Sequence, residues 1–197
     1  MILTRILPVA VAVLAASAVA APAALAEEGR NVPFALFGDA QRESDGAVAL
    51  RSADGGFGGL DFKLNKPVSF GDIAVLQTTF DPTDDTCGAG SPRFQLNIDS
   101  DGDGRSDGNV FVYAGTLPSF TCTEPGDTGN LIGTAEPRFD TGGFGGGTVG
   151  YEQAAAVVGA ADVVGVQLVV DSGFTQADGE QTIVVNPSVR LHTGNGR

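Results

Sequence analysis

Apolar and polar residues alternate in short stretches along most of this chain, and glycine, proline and aspartate separate the stretches. The clearest case sets Leu60, Phe62 and Leu64 against Asp61 and Lys63. That period of two puts one face of a strand in a core and the other in water. Phe94, Leu96 and Ile98 alternate in the same way with Arg93, Gln95 and Asn97. Residues 163–170 are more evenly apolar, which predicts a central strand. Residues 32–37, 47–51, 73–80, 110–113, 183–185 and 189–191 complete nine strand candidates. Only residues 151–159, with Ala154, Ala155 and Ala156, read as a helix, a short plug over one end. Short strands cut by glycine-rich turns predict an all-β fold, a two-sheet antiparallel sandwich of jelly-roll-like layout with one short helix.

The first 26 residues depart from this pattern. Arg5 is followed by an apolar run over residues 6–20, broken at Pro8, and the stretch ends in Ala24-Leu25-Ala26. A basic start, an apolar middle and a small-residue site are the marks of a secretory signal peptide. Residues 1–26 are therefore expected to be removed, leaving residues 27–197 as a single β-sandwich domain, free outside the cell. Those 171 residues suffice for one domain with a core of its own.

Charge narrows the choice of partners. The chain has 24 acidic and 11 basic residues; losing Arg5 leaves ten basic residues and a net charge of −14. A surface of that sign repels nucleic acid and anionic lipid. The expected partner is an extracellular glycan or cell-surface polymer, with neither nucleic-acid binding nor membrane insertion. In an exported chain the two cysteines, Cys87 and Cys122, are expected to form one disulfide.

Between those cysteines lies the densest chemistry in the sequence, Asp99-Ser100-Asp101-Gly102-Asp103-Gly104-Arg105-Ser106-Asp107. Ca²⁺ takes six to eight oxygen ligands, so a binding loop must aim several carboxylates inward over a few residues. Asp99, Asp101 and Asp103 stand at loop positions one, three and five, Gly104 at the turn position six, Arg105 at seven with its backbone carbonyl, and Asp107 at nine. Position twelve is Val110, where a helix-flanked calcium hand carries glutamate. Both flanks read as strands. The loop resembles the strand-to-strand calcium loops of secreted bacterial FG-GAP and VCBS repeats, and its first positions those of dockerins; those families repeat the loop, and this chain has it once. A polar Asp/Gly turn with no ion is the plainer alternative. Four like charges in one short loop favour a counter-ion, and the expected cofactor is Ca²⁺.

Other motifs lead nowhere. Residues 145–150 spell G-x-G-x-x-G and Asp171 follows at a suitable distance, but no apolar strand leads into these glycines, as a dinucleotide fingerprint requires. His192 is the single histidine, and a serine triad would have to use it. Asp61, Asp72, Asp140, Glu152 and Asp171 could in principle pair in space as hydrolytic carboxylates, although each also suits a turn, cap or surface role.

Three further segments carry a resemblance: Cys87-Gly88-Ala89-Gly90-Ser91-Pro92-Arg93-Phe94-Gln95, Gly108-Asn109-Val110-Phe111-Val112-Tyr113 beside the acidic loop, and Gly165-Val166-Gln167-Leu168-Val169-Val170-Asp171-Ser172-Gly173 with Gly179-Glu180-Gln181-Thr182. They resemble a group of uncharacterised secreted bacterial β-sandwich proteins marked by the motif CGxGSPRF. The resemblance spans residues 36–191 and implies a secreted sandwich similar in layout to the jelly rolls of carbohydrate-binding modules. It implies no activity. The reading that follows is a secreted, calcium-stabilised, non-catalytic β-sandwich, a glycan-binding or surface-associated module. The alternative is a secreted carboxylate-dependent hydrolase of glycosidase type. The aromatic content, no Trp and two Tyr, is poor for stacking sugars.

Overall fold

The computed structural model describes residues 28–53, 55–88, 90–171 and 180–192; the signal peptide expected over residues 1–26 lies outside them. The alternating stretches become strands, and the strands form two antiparallel sheets packed face to face. In chain order they are β1 (Glu28–Asn31), β2 (Phe34–Gly38), β3 (Gln41–Arg42), β4 (Val48–Ala53), β5 (Phe57–Phe62), β6 (Val68–Ser69), β7 (Ile73–Asp84), β8 (Arg93–Asp99), β9 (Gly108–Tyr113), β10 (Gly126–Asp127), β11 (Phe139–Asp140), β12 (Thr148–Val149), β13 (Asp162–Asp171) and β14 (Glu180–His192). A single helix, α1 (Tyr151–Val158), precedes β13. The six-strand sheet runs β10-β7-β14-β4-β3, with β1 also on β14. The eight-strand sheet runs β12-β11-β9-β8-β13-β5-β2, with β6 also on β13. The all-β two-sheet sandwich expected from the sequence is what forms.

The period of two decides which side chains fill the space between the sheets. Leu60 and Phe62 of β5 and Phe94, Leu96 and Ile98 of β8 are buried, while Asp61, Arg93, Gln95 and Asn97 between them are only partly so. β13 lies between β8 and β5, as its apolar run predicts. Its inward residues are Val163, Val166, Leu168 and Val170, and the three-residue step from Val163 to Val166 breaks strict alternation. A bulge explains the step: Val163 faces Ile98 but Gly165 faces Asn97, so one residue of β13 has no opposite number. At one end, Tyr151 of α1 stacks on Phe70 at 5.8 Å and meets Phe139 edge-on at 5.7 Å. The helix thus closes the core with an aromatic cluster.

Three strand assignments differ from the sequence reading. The stretch read as a strand over residues 60–64 is shifted: β5 covers Phe57–Phe62, and Lys63 and Leu64 fall beyond its end, where Leu64 N–H turns back to the Phe62 carbonyl. Residues 32–37 form no single strand, because Pro33 marks the point where the chain changes sheets. The Val32 N–H donates to the Val189 carbonyl in the six-strand sheet, and the Pro33 carbonyl accepts from Lys63 N–H in the other. Residues 183–185 and 189–191 belong to one strand, β14, which passes through Pro187. Proline has no N–H to give to a ladder, and the pairing shows why none is needed. Pro187 faces Thr78 of β7, whose N–H and carbonyl both turn away to Thr128. β4 pairs with β14 only as far as Val185.

Described residues of the three segments behind the resemblance meet in space. Ser91, 1 % exposed, closes a tight turn with Gly88 and donates its hydroxyl to Gln181 Oε1 at 2.6 Å. Gln181 Nε2 donates in turn to the Thr86 carbonyl at 2.7 Å, and Asp171 N–H reaches Ser91 Oγ at 3.3 Å. Arg93 forms an ion pair with Asp171 at 2.6 Å and lies 5.1 Å above the Phe111 ring. This buried polar knot joins β14 of one sheet to β8 and β13 of the other. Beside it, Cys87 and Cys122 form the expected disulfide, with their Cα atoms 4.7 Å apart and Cys87 N–H bonded to the Cys122 carbonyl at 2.9 Å.

Candidate metal centre

β8 and β9 pair side by side from Arg93↔Tyr113 to Ile98↔Gly108, and the acidic loop is the connection between them. Asp107 N–H donates to the Ile98 carbonyl at 2.8 Å, so the hairpin is closed at its base. The loop beyond is shaped by its own carboxylates. Asp99, the last residue of β8 and only 2 % exposed, accepts Gly102 N–H on one oxygen and Gly104 N–H on the other, both at 2.7 Å. Asp101 accepts Asp103 N–H at 3.1 Å, and Asp103 accepts Arg105 N–H at 2.8 Å. These side-chain turns are what Asp does best in irregular backbone. Gly102 and Gly104 have φ of 81° and 84°, left-handed conformations that a Cβ would strain.

Asp107 is held from the opposite side of the loop. Its carboxylate accepts both Ser100 N–H, at 2.7 Å, and Ser100 Oγ–H, at 2.6 Å. The result brings one oxygen each of Asp99, Asp101 and Asp107 within 4.8 Å of one another, a group that could hold a metal ion. Asp99 is buried at the root of the group while Asp101 and Asp107 are exposed to solvent. Burial pushes the Asp99 carboxyl up, but the N–H groups of Gly104, Gly102, Asp103 and Asp101 outweigh it and hold the group below the usual carboxylate range. The Ser100 hydroxyl and N–H lower Asp107 likewise. Both stay ionised at neutral pH, the state that a cation requires.

Of the five residues singled out in sequence, Asp99, Asp101 and Asp107 converge. Asp103 and Arg105 stand outside that trio, joined to each other by the Asp103 carboxylate and the Arg105 N–H. Sequence reasoning missed Ser100, which orients Asp107; a hydroxyl at loop position two was its one visible sign. Gly102 was missed as a second left-handed turn.

The acids considered for hydrolysis are engaged elsewhere. Asp61 is ion-paired to Lys63, and Asp171 to Arg93. Asp72 accepts Ser69 N–H at 3.3 Å, and Asp140 accepts the Tyr113 hydroxyl at 2.8 Å. Glu152 sits in the first turn of α1, where a negative charge complements the helix end. Among the described residues no helix is long and apolar enough to cross a membrane. No protein family, curated protein or solved structure matches the chain.

Proposed function

We propose that this chain is a secreted, non-catalytic β-sandwich module whose β8–β9 loop takes up Ca²⁺, and which serves a glycan or cell-surface polymer. The observation that carries the reading is the convergence of Asp99, Asp101 and Asp107 at the end of a hairpin. Oxygens sharing one Ca²⁺ at about 2.3–2.6 Å stand at most about 5 Å apart, and the trio fits that span. Calcium suits the loop better than Mg²⁺, which demands near-ideal octahedral geometry and keeps its waters. The disulfide supports an oxidising, extracellular setting, in line with the leader expected over residues 1–26.

The ion's role is to order the connection between β8 and β9. At the affinities of extracellular modules, about 10⁻⁴ to 10⁻³ M, millimolar Ca²⁺ stabilises the fold by on the order of 1 kcal/mol. Calorimetric titration of the chelated protein with Ca²⁺, with Mg²⁺ as control and a melting curve at each end, tests this. The expected result is a one-site calcium isotherm with a raised melting temperature, abolished in Asp101→Ala. A calcium response equal in the wild type and Asp101→Ala would remove the loop from the reading.

A further inference from the structure

The chain has 24 acidic residues, yet one cleft is lined by cations. Its two lysines, Lys63 and Lys66, both line it together with Arg30, and the single histidine, His192, is a further polar lining residue. The cleft opens where the chain leaves the six-strand sheet at Val32–Pro33 and enters the eight-strand sheet. β1 forms one wall, the β5–β6 connection another, and the end of β14 a third. Val32, Leu64, Val68 and Leu191 contribute apolar surface; Asn31 and Asn65 add amides. The volume is about 350 Å³, at the lower end of the range for small-ligand sites, which combine an apolar lining with a few polar groups that orient the ligand.

The charges are unequally committed. Lys63 is ion-paired to Asp61. Among the described residues Arg30 and Lys66 have no carboxylate partner, and both are exposed. A local positive site on a strongly negative molecule selects for an anion and steers it inward. The aliphatic surface beside it favours an anion that carries an apolar body, since an inorganic ion would leave that surface uncovered.

We propose that this cleft binds a small carboxylate ligand, its head held by Arg30 and Lys66 and its body laid on Val32, Leu64 and Leu191. A uronic-acid residue of an acidic glycan and an aliphatic acid both present that chemistry. The proposal uses no residue of the calcium loop, so its failure and the failure of the calcium reading are separate results.

Amide chemical-shift titration of the ¹⁵N-labelled chain tests it, using a galacturonate oligomer in one arm and octanoate in the other. The methyl-esterified oligomer and octanol serve as uncharged controls. The expected result is saturable shifts at Asn31, residues 63–66 and Leu191 with at least one acid, and affinity about tenfold weaker for its uncharged partner and in high salt. The arm that responds identifies the source, a glycan or an amphiphile; a response in both places the selectivity in the carboxylate. Arg30→Gln and Lys66→Gln, both on exposed side chains, should each weaken binding about fivefold or more at unchanged melting temperature. Absence of saturable shifts with both acids, equal binding of acid and uncharged control, or full affinity in both variants would each overturn the proposal.

Discussion

The polar knot between the sheets makes a prediction whose size follows from its geometry. Replacing Ser91 by Ala removes a 2.6 Å hydrogen bond and strips Gln181 Oε1 of its donor in a residue that is 0 % exposed. A buried acceptor left unpaired costs about 1–3 kcal/mol. The volume change is one oxygen, so cavity terms add little, and the expected loss is about 2 kcal/mol. For a domain of this length that corresponds to a fall in melting temperature of about 4–8 °C. Gln181→Met nearly preserves volume while deleting both the acceptor and the Nε2–H bond to the Thr86 carbonyl, so it should cost at least as much. Because the two side chains share one bond, the double variant should be less destabilised than the sum of the singles by about 1 kcal/mol. Urea unfolding at fixed calcium concentration reads all four stabilities, and an unchanged m-value certifies that only stability has moved. Additivity within about 0.5 kcal/mol would refute the claim that Ser91 and Gln181 act as a unit.

Other expectations are shorter to state. Cys87→Ala/Cys122→Ala opens a ring of 35-residue separation and should lower stability by about 4 kcal/mol in the chain-entropy account, read by denaturant midpoint. Asp99 and Asp107 have folded pKa values below the unfolded one, so their contribution is present above about pH 4 and lost as pH falls through the folded values; Asp107→Asn should flatten the acid limb of a melting-temperature profile, and an unaltered limb would count against the Ser100 clamp. Tyr113 is pushed up to about 12 by burial and by its bond to Asp140. Its contribution is complete below pH 10 and lost between pH 10 and 12, so Tyr113→Phe should show a shallower alkaline decline. Gly104→Ala meets no atom within 4 Å, so its cost should be the backbone penalty alone, about 1–2 kcal/mol, together with weakened calcium binding by calorimetry.

What the sequence made legible is what neighbouring residues decide among themselves. The alternation in β5 and β8 exposed their inner faces, and carboxylates two apart in residues 99–107 pointed to an ion loop, because both patterns are set within one element. Pro33 and Pro187 misled in opposite directions. The first lies inside an apolar run and marks a change of sheet, while the second interrupts an apolar run and sits harmlessly where no ladder bond is needed. β1 is polar, and the two-residue strands β3, β6, β10, β11 and β12 are too short to show any period. The Ser91–Gln181 bond joins positions 90 apart, and the cationic cleft draws on residues 30, 63, 66 and 192. Only the fold brings such groups together, and no local pattern announces them.

β14 pairs with β7, β4 and β1 at once. Take it away and the six-strand sheet breaks into three fragments: β10 with β7, β4 with β3, and β1 alone. The last strand to be synthesised among the described residues is therefore the one on which half the sandwich depends. Until it arrives, β7 and β4 stand as open edges able to pair with any other extended chain. A ribosome stalled before residue 180 would release a polypeptide with one sheet's worth of partners and another sheet's worth of unmet hydrogen bonds. Quality control acting on such truncated chains would thus find adhesive debris to clear, with no smaller folded domain to spare.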